Sequence, residues 1–337
     1  MQTKACVPSW KSASRSGRGA ELNTARAVSH PSLIALDWGT SNLRASLLDR
    51  DGSVIDTRSA AAGVMAVPER RFAEALLSLC GDWLATHPRT ACIASGMVGS
   101  RQGWAEAPYV ECPAGLSDAA ARLLRVTFGA EHRLHIVPGL RCVGDDGQAD
   151  VMRGEETQLW GADLPAGSCC LLPGTHSKWA WLGEGDRVLG FQTHMTGEVF
   201  ALLTQHGILG RLMEFGAPFA PAAFDDGVHL GLQQHAHLLH TLFAARTAGL
   251  MGQRAPNELP DFLSGMLIGA EIASARSERN HGGPAITLLG DGALCDRYAR
   301  ALGLAGITVQ FAAREATTRG QWRLAVAAAL TDPKLGA

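Results

Sequence analysis

The sequence predicts an α/β protein built from two duplicated domains, each a mixed sheet flanked by helices, with a ligand cleft between them. Three observations carry that expectation. A strand–Gly-Thr–strand hairpin occurs at Gly39-Thr40 and again at Gly174-Thr175. Laying one pair over the other aligns three strands and two turns in each half, at an offset of 135 residues, which is the mark of an internal duplication. The chain of 337 residues is also long enough for two cores of about 150 residues each. The expected division is an extension over 1–32, a first domain over 33–165 and a second over 166–337.

Each element follows from local pattern. Leu33-Ile34-Ala35-Leu36 reads as a buried strand, and Asp37 to Asn42 as the turn after it. Leu43 to Asp49 alternates toward Asp51-Gly52, a hairpin signal, and Ser53 to Arg58 returns as the third strand. Phe72, Leu76, Leu79 and Trp83 recur at helical spacing within a helix expected from Glu69 to His87. A strand at Ala91–Ala94, a glycine-rich loop, a helix near Ser117 to Phe128 and a strand at Leu134–Val137 follow. After a Gly/Asp loop, a helix is expected over Val151 to Trp160.

The opening pattern then returns. Cys169 to Leu172 is a buried strand, Pro173 to Ser177 a turn, Lys178 to Leu182 the second strand and Arg187 to Gln192 the third. Helices are expected at Glu198–Met213 and Pro260–Ser274, with a helical stretch over Val228–Ala248 between them. The strand Ala285–Leu289 enters Gly290-Asp291-Gly292-Ala293 and a helix to Leu302, and a strand at Ile307–Phe311 and a helix at Arg323–Leu330 close the chain.

Composition narrows the function classes. The formal net charge is −2, so no global field favours nucleic acid or an anionic membrane, and an anionic ligand needs a local site. The eight cysteines form no CxxC pair, and Cys169-Cys170 sit in an apolar run as small hydrophobes. No segment approaches the roughly 18 apolar residues of a membrane helix. Reduced thiols in a cytoplasmic protein are the expectation. Residues 1–30 set Lys4, Lys11, Arg15, Arg18 and Arg26 against Glu21 alone, with Ser and Gly between and no apolar run. That pattern is read as a disordered or non-native extension rather than a secretory signal.

A Gly-Thr turn between strands lets backbone come close to a phosphate, with turn N–H groups and hydroxyls aimed at its oxygens. One such turn is often only a connector. Two in equivalent positions, offering Gly39, Thr40 and Ser41 on one side and Gly174, Thr175, His176, Ser177 and Lys178 on the other, suit a triphosphate held from both sides. Asp37 is placed to hold Mg²⁺ through water, since that ion prefers oxygen ligands and keeps its hydration. Gly290, Asp291 and Gly292 open a helix after a buried strand, which suits a nucleotide at the helix N-terminus, and they are assigned to adenosine. The third glycine of a dinucleotide fingerprint is missing.

These loops, in this order, resemble the two phosphate motifs and the adenosine motif of the sugar kinase, heat-shock chaperone and actin superfamily. Further motifs resemble the 2-dehydro-3-deoxygalactonokinase family: Ser95 to Trp104 with Pro108-Tyr109 and Cys112 to Gly115, Asp150 to Gln158, Pro173 to Trp179 and Thr196 to Phe200. The resemblance covers roughly residues 33 to 330. It implies ribonuclease H-like domains with ATP in the interdomain cleft, and transfer of the γ-phosphate to the terminal hydroxyl of 2-dehydro-3-deoxy-D-galactonate.

Related sugar kinases carry a catalytic Asp opening the helix before the second phosphate hairpin. Asp150 occupies that place in the expected elements, with Asp145 and Asp146 as alternatives, and an N-cap is its bland reading. A substrate carboxylate calls for a cation. Gly99, Ser100, Arg101, Trp104 and Arg153 are the substrate candidates, although Arg101 can equally be a surface pair and Trp104 core filling. Arg44 is a further candidate for phosphate charge, and Glu155-Glu156 are read as partners of these arginines. His235, His237 and His240 share no helix face well and are read as a helix surface, not a metal site. No nucleic-acid or membrane partner is expected, and a homodimer is the assembly considered.

Overall fold

The protein is described by a computed structural model over residues 31–129, 131–278, 285–290, 292–312 and 315–331. The basic segment 1–30 lies outside the described residues, as does Asp291.

Strands β1 (Leu33–Trp38), β2 (Leu43–Leu48) and β3 (Val54–Ala60) form an antiparallel meander. Helix α1 (Phe72–Thr86) leads to β4 (Ala91–Ser95), which pairs parallel with β1. Then follow β5 (Tyr109–Glu111), α2 (Leu116–Ala120), β6 (Leu124–Phe128), β7 (His132–Ile136), β8 (Gly139–Val143) and β9 (Ala149–Met152). Helix α3 (Glu155–Ala162) connects to β10 (Cys169–Leu172), β11 (Ser177–Leu182) and β12 (Val188–His194), a second antiparallel meander. A helical stretch comprises α4 (Thr196–Gln205), α5 (Pro221–Gln234), α6 (Leu238–Thr241), α7 (Ala244–Leu250) and α8 (Leu259–Glu278). The described chain closes with β13 (Ile286–Leu288), α9 (Ala293–Leu304), β14 (Val309–Phe311) and α10 (Ala316–Ala327).

The duplication is visible in the sheets. One runs β3-β2-β1-β4-β7-β6 and the other β12-β11-β10-β13-β14, so both set a meander beside two parallel strands. Even the irregularity repeats, with a register shift at Leu47/Leu48 and another at Trp181/Leu182. A third, smaller sheet, β5-β8-β9, stands apart from this plan.

The central strands are buried on both faces, as continuous apolar runs require. Ile34, Leu36 and Trp38 pack on one side with Phe72 and Leu76 of α1. Leu33 and Ala35 face the other way, into a core shared with Cys170 and Leu172 of β10, Leu159 and Trp160 of α3, and Leu324 of α10. This shared core joins the two sheets through a helix pair. A Cβ at Gly161 of α3 would lie 1.7 Å from the Ala316 carbonyl, so the backbones of α3 and α10 meet directly. Gln321 of α10 donates to the Leu36 carbonyl at 2.6 Å and to the Ser95 hydroxyl at 2.8 Å, anchoring a late helix in the first sheet.

Three expectations are corrected here. The helix expected over Ser117 to Phe128 is a five-residue α2 followed by the edge strand β6. Leu124 and Val126 alternate there with exposed Arg125 and Thr127, a period of two that suits a strand. The helix expected from Val151 is strand β9, and Gly154, at φ 109°, delays the helix to Glu155. The helix expected over Glu198 to Met213 ends at Gln205, with a separate 3₁₀ turn at Leu209–Leu212, while the helical stretch expected over Val228 to Ala248 is carried by α5, a 3₁₀ turn at His235–His237, α6 and α7.

Candidate active site

The first hairpin turn is fixed from below by the segment that follows β3. Gly63, Val64 and Met65 donate backbone N–H groups to Ser41, Gly39 and Thr40, at 3.1, 3.0 and 3.2 Å. A Cβ at Gly63 would lie 2.3 Å from the Thr40 carbonyl, so only glycine allows that approach. Thr40 and Ser41 are left exposed at the tip. At the end of β1, Asp37 pairs across the ladder with Arg44. Burial pushes the Asp37 carboxyl above the usual range, and the Arg44 charge opposes that shift. Gly96 closes over it, its Cβ position 3.8 Å from Asp37 Oδ1.

The second turn is fixed by α4. Glu198 donates its N–H to the Thr175 carbonyl at 3.0 Å, and a Cβ at Gly197 would come within 2.5 Å of the Gly174 carbonyl. Gly174 is partly covered, Thr175 and His176 are exposed, and the His176 ring is paired with the Glu198 carboxylate. Ser177 is a correction: it points inward, where its hydroxyl meets the Tyr298 hydroxyl at 2.8 Å instead of an open phosphate site. Tyr298 donates on to Glu271 at 2.6 Å, Trp179 donates to the same carboxyl at 2.9 Å, and Thr196 joins them. Burial and the neighbouring Glu271 push the Tyr298 phenol far up, which keeps it a donor. Because side chains alternate along β11, Lys178 faces the opposite side, buried, with Nζ 3.2 Å from the His176 carbonyl and 3.6 Å from Glu155 Oε1.

Between the hairpins stands the start of α3. Glu155 Oε2 accepts from the Arg153 N–H at 3.1 Å. Glu156 is buried, with Oε2 accepting from the Gly154 N–H at 2.6 Å and Oε1 from the Thr157 hydroxyl at 3.1 Å. Burial first, then the negative charge of Glu155, pushes Glu156 up to about 8. Gly154 is pressed onto Gly96, its Cβ position 3.2 Å from the Gly96 Cα, so the helix start, the end of β1 and the turn after β4 converge.

Asp150 is not at a helix N-terminus. It lies on β9, and its carboxylate accepts from the Thr193 N–H and hydroxyl, both at 2.6 Å, and from the Val151 N–H at 2.7 Å, stitching β9 to β12. Asp145 and Asp146 are exposed, and Asp146 accepts from the Gln148 N–H at 2.9 Å. The acidic residue that opens the helix is Glu155, missed because Gly154 had been placed inside a helix.

The substrate candidates separate. Arg101 has 82% of its side chain exposed and pairs with Glu106 at 3.2 Å, and Trp104 stacks on Phe72 within the core beside Trp38 and Phe128. Ser100 donates its hydroxyl to the Met97 carbonyl at 2.7 Å. Gly99 and Arg153 do come together, the Gly99 Cβ position lying 2.9 Å from Arg153 Nη1. Arg153 lies 4.4 Å over the Tyr109 ring and donates from Nη2 to the Ala107 carbonyl at 2.8 Å, while its buried Nε and Nη1 have no hydrogen-bond partner. Tyr109 was visible only as part of a motif; nothing in its spacing announced a ring beneath a guanidinium.

A cavity of about 340 Å³ opens beside the second hairpin, in the range of small-ligand sites. Gly174 and Gly197 form one end, Phe200 and Leu267 the apolar walls, and Leu294 and Tyr298 of α9 the far side. Gly290 and Gly292 both have positive φ, at 134° and 77°, and Gly292 immediately precedes α9. No disulfide joins the described cysteines, and His235, His237 and His240 are exposed. No group of three or more His, Cys, Asp or Glu residues suited to a metal, and no helix long and apolar enough to cross a membrane, occurs among the described residues.

Comparison with known proteins is consistent across sequence and structure. Residues 37–324 match the family model described as 2-keto-3-deoxy-galactonokinase. The chain is 38% identical over 280 residues to the 2-dehydro-3-deoxygalactonokinase of Escherichia coli (strain K12), covering 82% of this chain and 91% of the relative. It is also 38% identical to a candidate kinase of that name, DgoK1, from Rhizobium meliloti (strain 1021), covering 82% and 90%. A crystal structure of a candidate 2-dehydro-3-deoxygalactonokinase from Sinorhizobium meliloti superposes with a TM-score of 0.77 at 36% identity, covering 89% of this chain and 97% of that one. By both sequence and fold, the chain belongs to the 2-keto-3-deoxy-galactonokinase family.

Proposed function

We propose that the protein transfers the γ-phosphate of ATP to the 6-hydroxyl of 2-dehydro-3-deoxy-D-galactonate, giving the 6-phospho sugar acid for galactonate catabolism. The observation that carries this reading is the pair of fixed turns either side of the start of α3, one beside the partly buried acid Asp37 and the other beside the buried cation Lys178. Family membership supplies the acceptor.

Residues 33–165 and 166–331 serve as the two lobes, with the shared core behind the cleft. The N–H groups and hydroxyls of Gly39, Thr40, Ser41, Gly174 and Thr175, with the His176 N–H, line the phosphates. The cavity beyond Gly174 takes the adenosine with Gly290 and Gly292. Asp37 fits a hydrated Mg²⁺: its carboxylate is desolvated and accepts no hydrogen bond from the described residues, so a cation would restore its charged form. When bound, Mg²⁺ supplies charge neutralisation for the transferring phosphoryl group. Arg153, with two unpartnered guanidinium nitrogens beside Gly99, is the cation for the sugar-acid carboxylate. The reading carries a cytoplasmic location, where ATP is available. A homodimer is the assembly we favour, because Leu239, Phe243 and Met251 stand exposed around α6 and α7.

The test is a coupled ADP assay with ATP, Mg²⁺ and a panel of acceptors. Turnover on the sugar acid that exceeds turnover on gluconate and neutral hexoses is expected, and preference for a neutral sugar would sink the assignment. Light scattering that returns a single-chain mass would remove the dimer.

A further inference from the structure

Glu155 and Glu156 stand side by side at the start of α3, and the fold gives them different surroundings. Glu156 is buried and protonated around neutral pH, with both oxygens engaged locally. Glu155 keeps 26% of its side chain exposed and forms the ion pair with Lys178. The lysine is itself only 5% exposed. Its ammonium has three donor protons, and among the described residues the His176 carbonyl and the Glu155 carboxylate are its partners, the latter at a loose 3.6 Å. A buried cation so lightly held gains from a better anion, and a phosphate oxygen arriving at the turn two residues away is one.

Position singles out Glu155 as well. Gly154, at φ 109° and pressed against Gly96, ties the helix start to the segment that covers Asp37, so Glu155 lies between the acid end of one hairpin and the lysine of the other. Arg153, two residues earlier, has a guanidinium with two buried nitrogens, Nε and Nη1, that lack a hydrogen-bond partner. Glu155 is therefore the carboxylate that borders both the expected acceptor and the expected phosphate.

We propose that Glu155 takes the proton of the acceptor hydroxyl, and that Lys178 holds it in an ion pair until a nucleotide phosphate draws the lysine away. This rests on the kinase reading above. In the transfer the hydroxyl proton passes to a Glu155 carboxylate oxygen, and the acceptor oxygen forms its bond to the γ-phosphorus. The bond from that phosphorus to the β–γ bridging oxygen breaks, its electron pair leaving on ADP. In the resting pair Lys178 Nζ stands 3.6 Å from Glu155 Oε1, and drawing the lysine to a phosphate frees that oxygen for the hydroxyl proton.

The full chain and its Glu155→Gln and Glu155→Asp variants decide the matter, by calorimetric titration with a non-hydrolysable ATP analogue plus Mg²⁺ and by steady-state turnover on the sugar acid. In Glu155→Gln, kcat should fall by about 10²–10⁴ with the acceptor KM within about threefold. The same variant should bind the analogue about three- to tenfold more tightly, because no ion pair has to be broken. A merely structural residue would weaken nucleotide binding instead. Glu155→Asp, which keeps the charge at shorter reach, should recover part of kcat and serves if the Gln variant does not fold. Turnover within tenfold of wild type in Glu155→Gln, or analogue affinity unchanged or weakened, overturns the proposal. A wild type that binds the analogue yet leaves the sugar acid unphosphorylated sinks the substrate reading, while the titration still decides the lysine exchange.

Discussion

The two Gly-Thr hairpins have the same strand order and buried central strands, yet they differ in the charges they carry. In the first, Asp37 pairs across the ladder with Arg44, and the arginine is exposed. In the second, the paired positions are Leu172 and Lys178. With no acid on its own hairpin, the lysine is buried and finds one on α3. On the proposed reading, duplication supplied two similar cradles whose divergence divided the work, with an anion for a metal on one side and a cation for a phosphate on the other. The comparison also shows why the pairing matters more than the alignment. A simple offset of 135 residues makes Lys178 the counterpart of Leu43, whereas the ladders, Leu172 with Lys178 and Asp37 with Arg44, make it the counterpart of Arg44.

The sharpest break of this comparison comes from removing one charge on each side. Asp37→Asn and Lys178→Met should each lower kcat/KM by about 10²–10³, the scale of one preorganised charge contact. They should part on metal, with only Asp37→Asn requiring more Mg²⁺ for half-maximal rate in the ADP assay. An identical Mg²⁺ dependence in both variants would erase the division of labour.

Next in size is the titration of Glu156, behind the junction of the hairpins. Its folded pKa is raised, from a model-peptide value of 4.5 to about 8. The native state therefore holds a proton that the unfolded chain releases, and stability falls as pH rises from about 4.5 to about 8. The contribution is of the order of a few kcal/mol. Glu156→Gln, which keeps an oxygen for the Gly154 N–H, should flatten that part of the urea-denaturation profile. An unchanged profile would mean that Glu156 is charged in the fold.

A smaller effect is expected at the seam. Asp150→Asn should lose about 1–3 kcal/mol of stability, because two donors from Thr193 lose a charged acceptor, while turnover stays within about tenfold. Loss of turnover at full stability would return the base to Asp150. Smallest of all, Ser177→Ala should cost about 1 kcal/mol in denaturant and leave the KM for ATP within about threefold, because its hydroxyl serves Tyr298. A KM raised tenfold would put that hydroxyl back on a phosphate.

Legibility followed the length of the physical interaction that fixes each feature. The meanders, the turns and the parallel strand entering Gly290 were readable because apolar runs, alternation and glycine act locally. Element identity failed where a single residue tipped the balance. Gly154 ended one expected helix, and alternation at Leu124–Phe128 competed with helix-forming composition. Of the candidate site residues, Asp37 and Lys178 were named from position, and the structure brings Gly99 and Arg153 together. Arg101 and Trp104, one residue type suited to carboxylates and one to pocket walls, could not be sorted from surface and core by type alone. Glu155 was seen but given the wrong partner, because its lysine lies across the fold.

By itself, then, the sequence determined the duplicated α/β plan, the two phosphate-type turns and the family, since those depend on patterns within a few residues and on motifs in order. Only the tertiary structure decided which charged groups meet. Side chains on β11 alternate between α9 and α3, so adjacent Ser177 and Lys178 part company, one into the Tyr298–Glu271 network and the other to Glu155. Which of two neighbours faces a cleft depends on the packing of distant elements, and the α3–α10 core between the sheets is where that choice is made.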